Sequence, residues 1–225
     1  MSYLALALHC EGSTDRRFLE PLIRRVLIQF VGRRCITPVD VAEQFFDLAA
    51  TSREVQSVVE RITEAAAAVD LVFVHADGGN DSDRVRRELF SPIDIAIRDR
   101  HRAEELGLVA VIPVRETEAW VLADADAIRR AFGTTRLYNE LGLPVRARDV
   151  EHVRDPKEVM TQAHRAARGL RQGRRVNQKY PAFLALIGEQ IDLTRLDQVP
   201  AFRQFARDLE DAVIQIMPFA FEGQG

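Results

Sequence analysis

Short apolar runs alternate with amphipathic stretches through the first 132 residues, and this alternation most restricts what the chain can fold into. The apolar runs Tyr3–His9, Leu71–His75 and Leu108–Val114 have the length of buried strands. The stretches between them repeat apolar residues at three- and four-residue intervals, which is typical of helices. Buried strands that alternate with helices indicate βαβ units. We therefore predict an α/β fold with a mostly parallel sheet flanked by helices.

The same patterns predict the other elements and the organisation of the chain. Residues Val39–Leu48 fit either a short strand or a loop, and after residue 133 we expect helices only. The predicted helices are Asp15–Val31, Ser52–Ala68 with Ser52 as N-cap, Asp83–Glu104 interrupted near Pro92, Glu116–Phe132, one starting at Asp155-Pro156, one near Ala182–Gly188, and Phe202–Met217. We divide the chain into an α/β domain, residues 1–132, and a helical extension, residues 133–225, packed on the same core.

Composition excludes several classes of protein. No apolar run is long enough to span a bilayer, and no charged leader precedes the first run, so we expect neither membrane insertion nor a signal peptide. The two isolated cysteines, Cys10 and Cys35, fit reduced thiols in the cytoplasm. No phosphate-binding loop or dinucleotide fingerprint occurs. The apolar segment Met217–Phe221 either folds back or meets another subunit, which leaves a homo-oligomer open.

Carboxylates follow each of the three apolar strands. They are Glu11 and Asp15 after the first strand, Asp77, Asp81 and Asp83 after the second, and Glu116 and Glu118 after the third. Ligands of parallel α/β sheets bind beyond the carboxyl ends of the strands, so these side chains should converge on one rim. Taken one at a time, each of these acidic residues is also typical of a helix N-cap or of the first turn of a helix. Together they repel one another unless a cation lies between them, and an oxygen-only set suits Mg²⁺ or Mn²⁺.

These segments resemble one known family. The string Glu11-Gly12-Ser13-Thr14-Asp15 after a strand is similar to the E-G-x-x-D motif of Toprim domains, and the strand ending at Asp77 is similar to their second motif. Glu116-Thr117-Glu118-Ala119-Trp120 and Asp155-Pro156-Lys157 resemble the OLD/RloB-like branch of putative nucleases. The resemblance covers the first 125 residues and Asp155–Lys157. One position departs from it, because Gly79 stands where the family has a second acid.

The resemblance implies roles for these residues. Glu11 would be a metal ligand or general base, and Asp15, Asp77 and Glu118 would be ligands, with Glu116 less favoured than Glu118. Asp81 or Asp83 would replace the missing acid through the Gly78-Gly79 turn. Lys157 would bring a compact positive charge to the scissile phosphate. His9 and His75, at strand ends, are more typical of packing or of groups behind the ligands.

A basic stretch follows in the helical extension. The residues expected to bind nucleic acid there are Arg165, Arg168, Arg171, Arg174, Arg175 and Lys179, of which the first three share a helical spacing. The alternative is that these arginines form an ordinary solvent-exposed helix face. Arginine is used almost throughout this chain, since it accounts for 29 of the 31 basic residues.

Together these features predict a Mg²⁺- or Mn²⁺-dependent nuclease acting on DNA or RNA. By resemblance, it would be the effector partner of a separate ATPase subunit in phage defence. Two alternatives stay open: a non-catalytic adaptor or nucleic-acid-binding module with a degenerate metal site, and a hydrolase of small phosphate compounds.

Overall fold

A four-stranded parallel sheet forms the centre of the molecule. The computed structural model describes residues 2–10, 12–48, 54–101, 105–169 and 179–221. The strands are β1 (Ser2–His9), β2 (Val39–Asp47), β3 (Leu71–His75) and β4 (Gly107–Val111). They pair in the order β2-β1-β3-β4, and all three pairings are parallel. The predicted α/β class is confirmed, and the segment that fitted either strand or loop is the edge strand β2.

Helices cover both faces of the sheet. They are α1 (Ser13–Arg34), α2 (Val55–Ala65), α3 (Ser82–Val85), α4 (Ser91–Arg98), α5 (Thr117–Val121), α6 (Ala125–Phe132), α7 (Pro156–Ala167), α8 (Leu184–Gln190), α9 (Leu193–Leu196) and α10 (Pro200–Ile216). In the part of the chain that the structure describes, none of them combines the length and apolarity needed to cross a membrane.

One predicted helix is interrupted just before Pro92, as expected, and another is split into two helices. A π-helical turn, Arg86–Phe90, links α3 to α4 just before Pro92, which has no N–H to donate to the preceding turn. The helix predicted over Glu116–Phe132 is split into α5 and α6, because the Asp124 side chain accepts the N–H groups that begin α6. The predicted cap Ser52 lies outside the described residues, and α2 begins at Val55.

Each face of the sheet has its own core. On one face, Leu6, Phe73 and Val109 join the larger cluster, which also contains Trp120 and the apolar side chains of α1 and α10. The other face carries a smaller cluster around α2 and α4. Side chains alternate between the two faces along a strand, so the odd-numbered residues of β3 share the face of Phe73. His75, the last residue of β3, therefore lies on the side of the larger core.

The helical extension is packed on this larger core. Helix α8 lies so close to α1 that a Cβ atom on Gly188 would come 2.5 Å from the Phe18 carbonyl oxygen. The apolar tail folds back, since the Phe221 ring lies 5.8 Å from the Phe30 ring and the Ala220 carbonyl accepts the Ile36 N–H. Among the described residues after 133 there is no strand, as expected. The domain boundary at residue 132 stays a prediction.

Candidate metal centre

The order of the strands puts a switch point at the carboxyl ends of β1 and β3, which is where parallel α/β sheets form their ligand-binding crevice. From β1 the chain crosses to β2 on one side, and β3 lies on the other side of β1. The connections that leave β1 and β3 therefore diverge, and a crevice opens where they part. Helix α1 follows β1 and places Asp15 in its first turn, while β3 ends at His75. Side chains from both connections meet in this crevice.

Three side chains in the crevice form a compact group of possible metal ligands. Asp15, His75 and Asp77 each offer one ligand atom, and these atoms all lie within 4.8 Å of one another. His75 is buried, whereas the two aspartates are half-buried. His75 Nε2 lies 3.0 Å from Thr117 Oγ1 and 3.7 Å from Asp77 Oδ1, so α5 contributes to holding the ring. This Asp-His-Asp group can hold a metal ion.

The loop after Asp77 is held against the end of β4 by backbone contacts. Gly79 and Arg115 exchange two backbone hydrogen bonds, of 3.2 Å and 2.7 Å. Gly79 has φ +55° and Arg115 has φ +66°, both in the left-handed region that non-glycine residues seldom occupy. Gly78 has no space for a Cβ atom, which would come 2.6 Å from the Pro113 carbonyl oxygen. The missing second acid is therefore replaced by a glycine that this closed turn favours.

Lys157 joins the carboxylates of this site. Helix α7 begins at Pro156 and is capped by Asp155, which accepts the Glu158 N–H, so Lys157 lies in the first turn. Its Nζ lies 3.3 Å from Glu116 Oε1 and 3.9 Å from Asp77 Oδ2. The Lys157 side chain is nearly half exposed, at 45%. It is thus accessible from solvent while it neutralises part of the acidic cluster.

Burial and mutual repulsion perturb the acid–base properties of the group. Burial first, and then the charges of Asp15, Glu116 and Glu118, raise the pKa of Asp77 to about 7, although Lys157 opposes them. Burial of Lys157 lowers the pKa of its ammonium, but the surrounding carboxylates outweigh burial and leave that pKa raised. The crevice therefore carries more negative charge than Lys157 compensates, which favours a further cation.

Burial also sets the protonation of His75. It lowers the pKa of the imidazole to about 4, with support from His9 and Lys157 and against the attraction of Asp15. The ring is therefore neutral at physiological pH. A neutral imidazole keeps a lone pair on one ring nitrogen, which is the form that binds metal ions.

Glu118 lies deeper than the other carboxylates. It is 1% exposed, and its Oε1 accepts a 2.7 Å hydrogen bond from the Tyr180 hydroxyl. Burial raises the pKa of Glu118, and the bond from Tyr180 opposes that rise. Tyr180 belongs to the helical extension, so this extension reaches the acidic cluster through both Lys157 and Tyr180.

Buried polar atoms that lack a hydrogen-bond partner indicate whether these residues could hold a cation. Within the described part of the chain, no hydrogen-bond partner is found for the buried atoms Asp77 Oδ1, Glu116 Oε2, Glu118 Oε2 and His75 Nδ1. Buried carboxylate oxygens are costly unless something satisfies them, and a divalent ion does so with ligands of this kind. The donor set thus fits a metal ion.

The structure brings together most of the predicted ligands that it describes, but in unequal roles. Asp15 and Asp77 belong to the metal-ligand group. Glu116 instead pairs with Lys157, and Glu118 accepts a hydrogen bond from Tyr180. Asp81 is exposed and acts as the N-cap of α3, where its Oδ1 accepts the Arg84 N–H at 2.8 Å. Glu11 lies outside the described residues, so its predicted role as ligand or base is untested.

Half of the predicted basic strip lies outside the described residues, namely Arg171, Arg174 and Arg175. Helix α7 ends at Ala167 with Arg168 as its C-cap, and Gly169 follows in the left-handed conformation. Arg165 is therefore on the helix and Arg168 at its end. Lys179 is exposed just before Tyr180. The assignment of these residues to nucleic-acid binding stays a prediction.

Sequence reasoning underestimated two residues. His75 was expected to pack or to stand behind the ligands, yet it lies within the metal-ligand group. Its position at the end of a buried strand, two residues before Asp77, was the available signal, because alternate residues of an extended chain point to the same side. Tyr180 carried no such signal, since only the fold brings it to Glu118 from 62 residues away.

Comparison with known proteins gives a family and no activity. The model of a family described as a domain of unknown function, DUF4276, matches residues 10–210. No curated protein matches the chain, and no solved structure does. The matched range includes the metal-ligand group, Lys157 and Tyr180.

Proposed function

The chain belongs to the DUF4276 family, and from its site we propose that it is a divalent-metal-dependent nuclease that hydrolyses phosphodiester bonds of DNA or RNA. One observation carries the proposal. Asp15, His75 and Asp77 form a group able to hold a metal ion, and the Lys157 ammonium lies 3.9 Å from Asp77. A metal ion beside an accessible cation can stabilise the negative charge that develops during phosphoryl transfer.

Each residue would have a defined task in this reaction. Asp15, His75 and Asp77 would hold the ion, which when bound supplies an activated water and stabilises charge on the phosphate. Lys157, protonated at neutral pH, would leave Glu116 and bind a phosphate oxygen. Glu11 is the general base that the Toprim resemblance implies, and it keeps that place in the proposal.

The remaining expectations belong to the same proposal. Arg165, Arg168 and Lys179 would hold the nucleic-acid backbone near the crevice, together with Arg171, Arg174 and Arg175. The bound ion would be Mg²⁺ or Mn²⁺. The protein would act in the cytoplasm, and its partner would be a separate ATPase subunit. The ATPase and a role in phage defence rest on the resemblance to the OLD/RloB-like branch alone.

A cleavage assay tests the nuclease proposal. Purified protein is incubated with plasmid DNA and with structured RNA, in Mn²⁺, in Mg²⁺ or in EDTA, with and without a neighbouring ATPase. We expect metal-dependent cleavage, and a loss of at least a hundredfold in Asp15→Asn, because one ligand of the group is removed. Asp81→Asn is the matched control, since it removes an equal charge from an exposed helix cap.

Lys157→Arg separates phosphate binding from metal binding. Arginine keeps the charge but cannot replace a compact ammonium in a small space, so we expect cleavage to fall at least tenfold while metal affinity is kept. Cleavage that is equally fast in EDTA, or in Asp15→Asn, would contradict the nuclease proposal.

A non-catalytic binding module is the second candidate, and Gly79 favours it. The turn that favours Gly79 leaves no side chain where the resemblance asks for a second acid. A module of this kind would bind metal and nucleic acid without cleaving. Binding of a labelled oligonucleotide with no cleavage in either metal, even with the ATPase present, would select this candidate.

A further inference from the structure

We propose that His75 makes this site select a first-row transition ion over Mg²⁺. The inference deepens the proposed function by choosing among its metals, and it rests on the metal site of that proposal. It does not depend on whether the bound ion supports cleavage.

The His75 ring is built into the site by the fold. It is the last residue of β3, where it pairs with Val111 of β4, and it is 1% exposed. Its Nε2 lies 3.0 Å from Thr117 Oγ1 and 3.7 Å from Asp77 Oδ1, while its Nδ1 has no hydrogen-bond partner among the residues that the structure describes. A buried imidazole that is only partly satisfied, beside two aspartates, is independent of the acidic cluster as evidence for a ligand.

The distances allow one ion to reach all three side chains. Nitrogen and carboxylate ligands lie about 2.0–2.2 Å from such ions, so two ligand atoms of one ion are at most about 4.4 Å apart. The three ligand atoms of Asp15, His75 and Asp77 lie within 4.8 Å of one another. A movement of a few tenths of an ångström, within the reach of side-chain rotation, closes the group around an ion.

The chemistry of the donors decides which ion is preferred. Mg²⁺ takes oxygen ligands in a strict octahedron and gives up its water reluctantly. Imidazole nitrogen suits the first-row transition ions, whose affinity for mixed nitrogen and oxygen sites rises from Mn²⁺ onwards along the series. One nitrogen among two carboxylates therefore favours these ions, and Mn²⁺, at the weak end of the series, is the most stringent probe.

The competing interpretation is a hydrogen-bonded cluster in which His75 only supports Thr117. In that case Asp15 and Asp77 would bind an ion through oxygen alone, and Mn²⁺ and Mg²⁺ would differ little. The two interpretations predict different atoms around the ion, so a spectroscopic measurement separates them directly.

The experiment measures metal binding by the full chain, stripped with EDTA. Calorimetric titration compares Mn²⁺ with Mg²⁺, and pulsed electron paramagnetic resonance of the Mn²⁺-loaded protein detects a coordinated nitrogen. We expect a Kd for Mn²⁺ at least tenfold below that for Mg²⁺, with nitrogen coupling of imidazole type. His75→Gln should lose both the preference and the coupling. His9→Gln is the matched control, because His9 is also a buried strand-end histidine but lies outside the group.

The outcomes separate this inference from the proposed function. Mn²⁺ bound without nitrogen coupling, Mg²⁺ bound as tightly as Mn²⁺, or no binding of either ion would each overturn the inference. Nitrogen coupling in a protein that cleaves nothing would support the inference and defeat the nuclease proposal. Cleavage in Mg²⁺ by a site without nitrogen coupling would do the reverse. If His75→Gln does not fold, the spectrum of the wild-type protein decides alone.

Discussion

Removing the charge of Asp77 should stabilise the metal-free protein and abolish its response to metal. The pKa of Asp77 rises from 3.8 to about 7 on folding, because the carboxylate is buried beside Asp15, Glu116 and Glu118. A group whose folded pKa is raised loses stability as the pH rises. For Asp77 this loss begins near pH 4, where the unfolded chain ionises, and is complete above about pH 7. Asp77→Asn avoids the loss, since the amide never ionises.

The magnitude follows from the size of the shift. About three pKa units correspond to roughly 4 kcal/mol at most. The Asp77 side chain is 34% exposed, and solvent screening reduces the effect to about 1–2 kcal/mol. In a chain of this length we expect the midpoint of thermal unfolding to rise by about 2–8 °C at pH 8. Near pH 4 the difference between the two unfolding temperatures should vanish.

The assay is differential scanning calorimetry from pH 4 to pH 8, in EDTA and in Mn²⁺. The wild-type protein should gain stability from Mn²⁺, increasingly so at high pH, whereas Asp77→Asn should gain none. His75, whose pKa is lowered to about 4, destabilises both proteins as the pH falls below 6.5, so it cancels in their difference. Asp81→Asn is the control, and neither its unfolding temperature nor its metal response should change. A Tm of Asp77→Asn below that of the wild type at pH 8 in EDTA, or a difference independent of pH, would show that burial does not raise the pKa of Asp77.

Three further substitutions test the packing and the acidic cluster. Tyr180→Phe leaves the buried Glu118 carboxylate without its 2.7 Å donor, and should lower the free energy of unfolding by about 1–3 kcal/mol. Urea unfolding should show a larger loss at pH 8 than at pH 5, and an equal loss would contradict a bond to the ionised form. Gly188→Ala should destabilise by about 1–3 kcal/mol despite its better helix propensity, because α8 must move away from Phe18. Gly32→Ala, which meets nothing within 4 Å, should stabilise by about 0.5–1 kcal/mol in the same denaturation assay, and a loss there would refute the steric argument.

Local patterns account for the elements and for much of the site. Buried strands of five to eight residues and amphipathic helices differ in their hydrophobic period, so β1, β3, β4 and α1 could be predicted within a few residues. Parallel strands place their carboxyl ends on one rim, and this rule was enough to nominate Asp15 and Asp77. The exposed edge strand β2 was ambiguous, because its half-exposed side chains give a weak periodic signal.

The parts that could not be predicted depend on contacts between distant segments. Asp81 and Asp77 are equally acidic in sequence, yet Asp81 caps α3 and Asp77 is buried beside Asp15. The closed turn between Gly79 and Arg115 forms only when β4 lies beside β3. No local pattern carries that information, because it depends on which surfaces the folded chain brings into contact.

The amino-acid sequence was sufficient to predict a parallel α/β sheet with carboxylates at the strand ends and a helical extension. This was possible because hydrophobic period and strand-end chemistry are local properties of the chain. The tertiary structure decided that β1 and β3 are neighbours at the switch of strand order, and hence that His75 joins Asp15 and Asp77. It also decided that Lys157 and Tyr180 reach the acidic cluster from the extension. These placements arise because folding buries apolar side chains on both faces of the sheet. The free energy gained by this burial depends on the whole fold and not on any single segment.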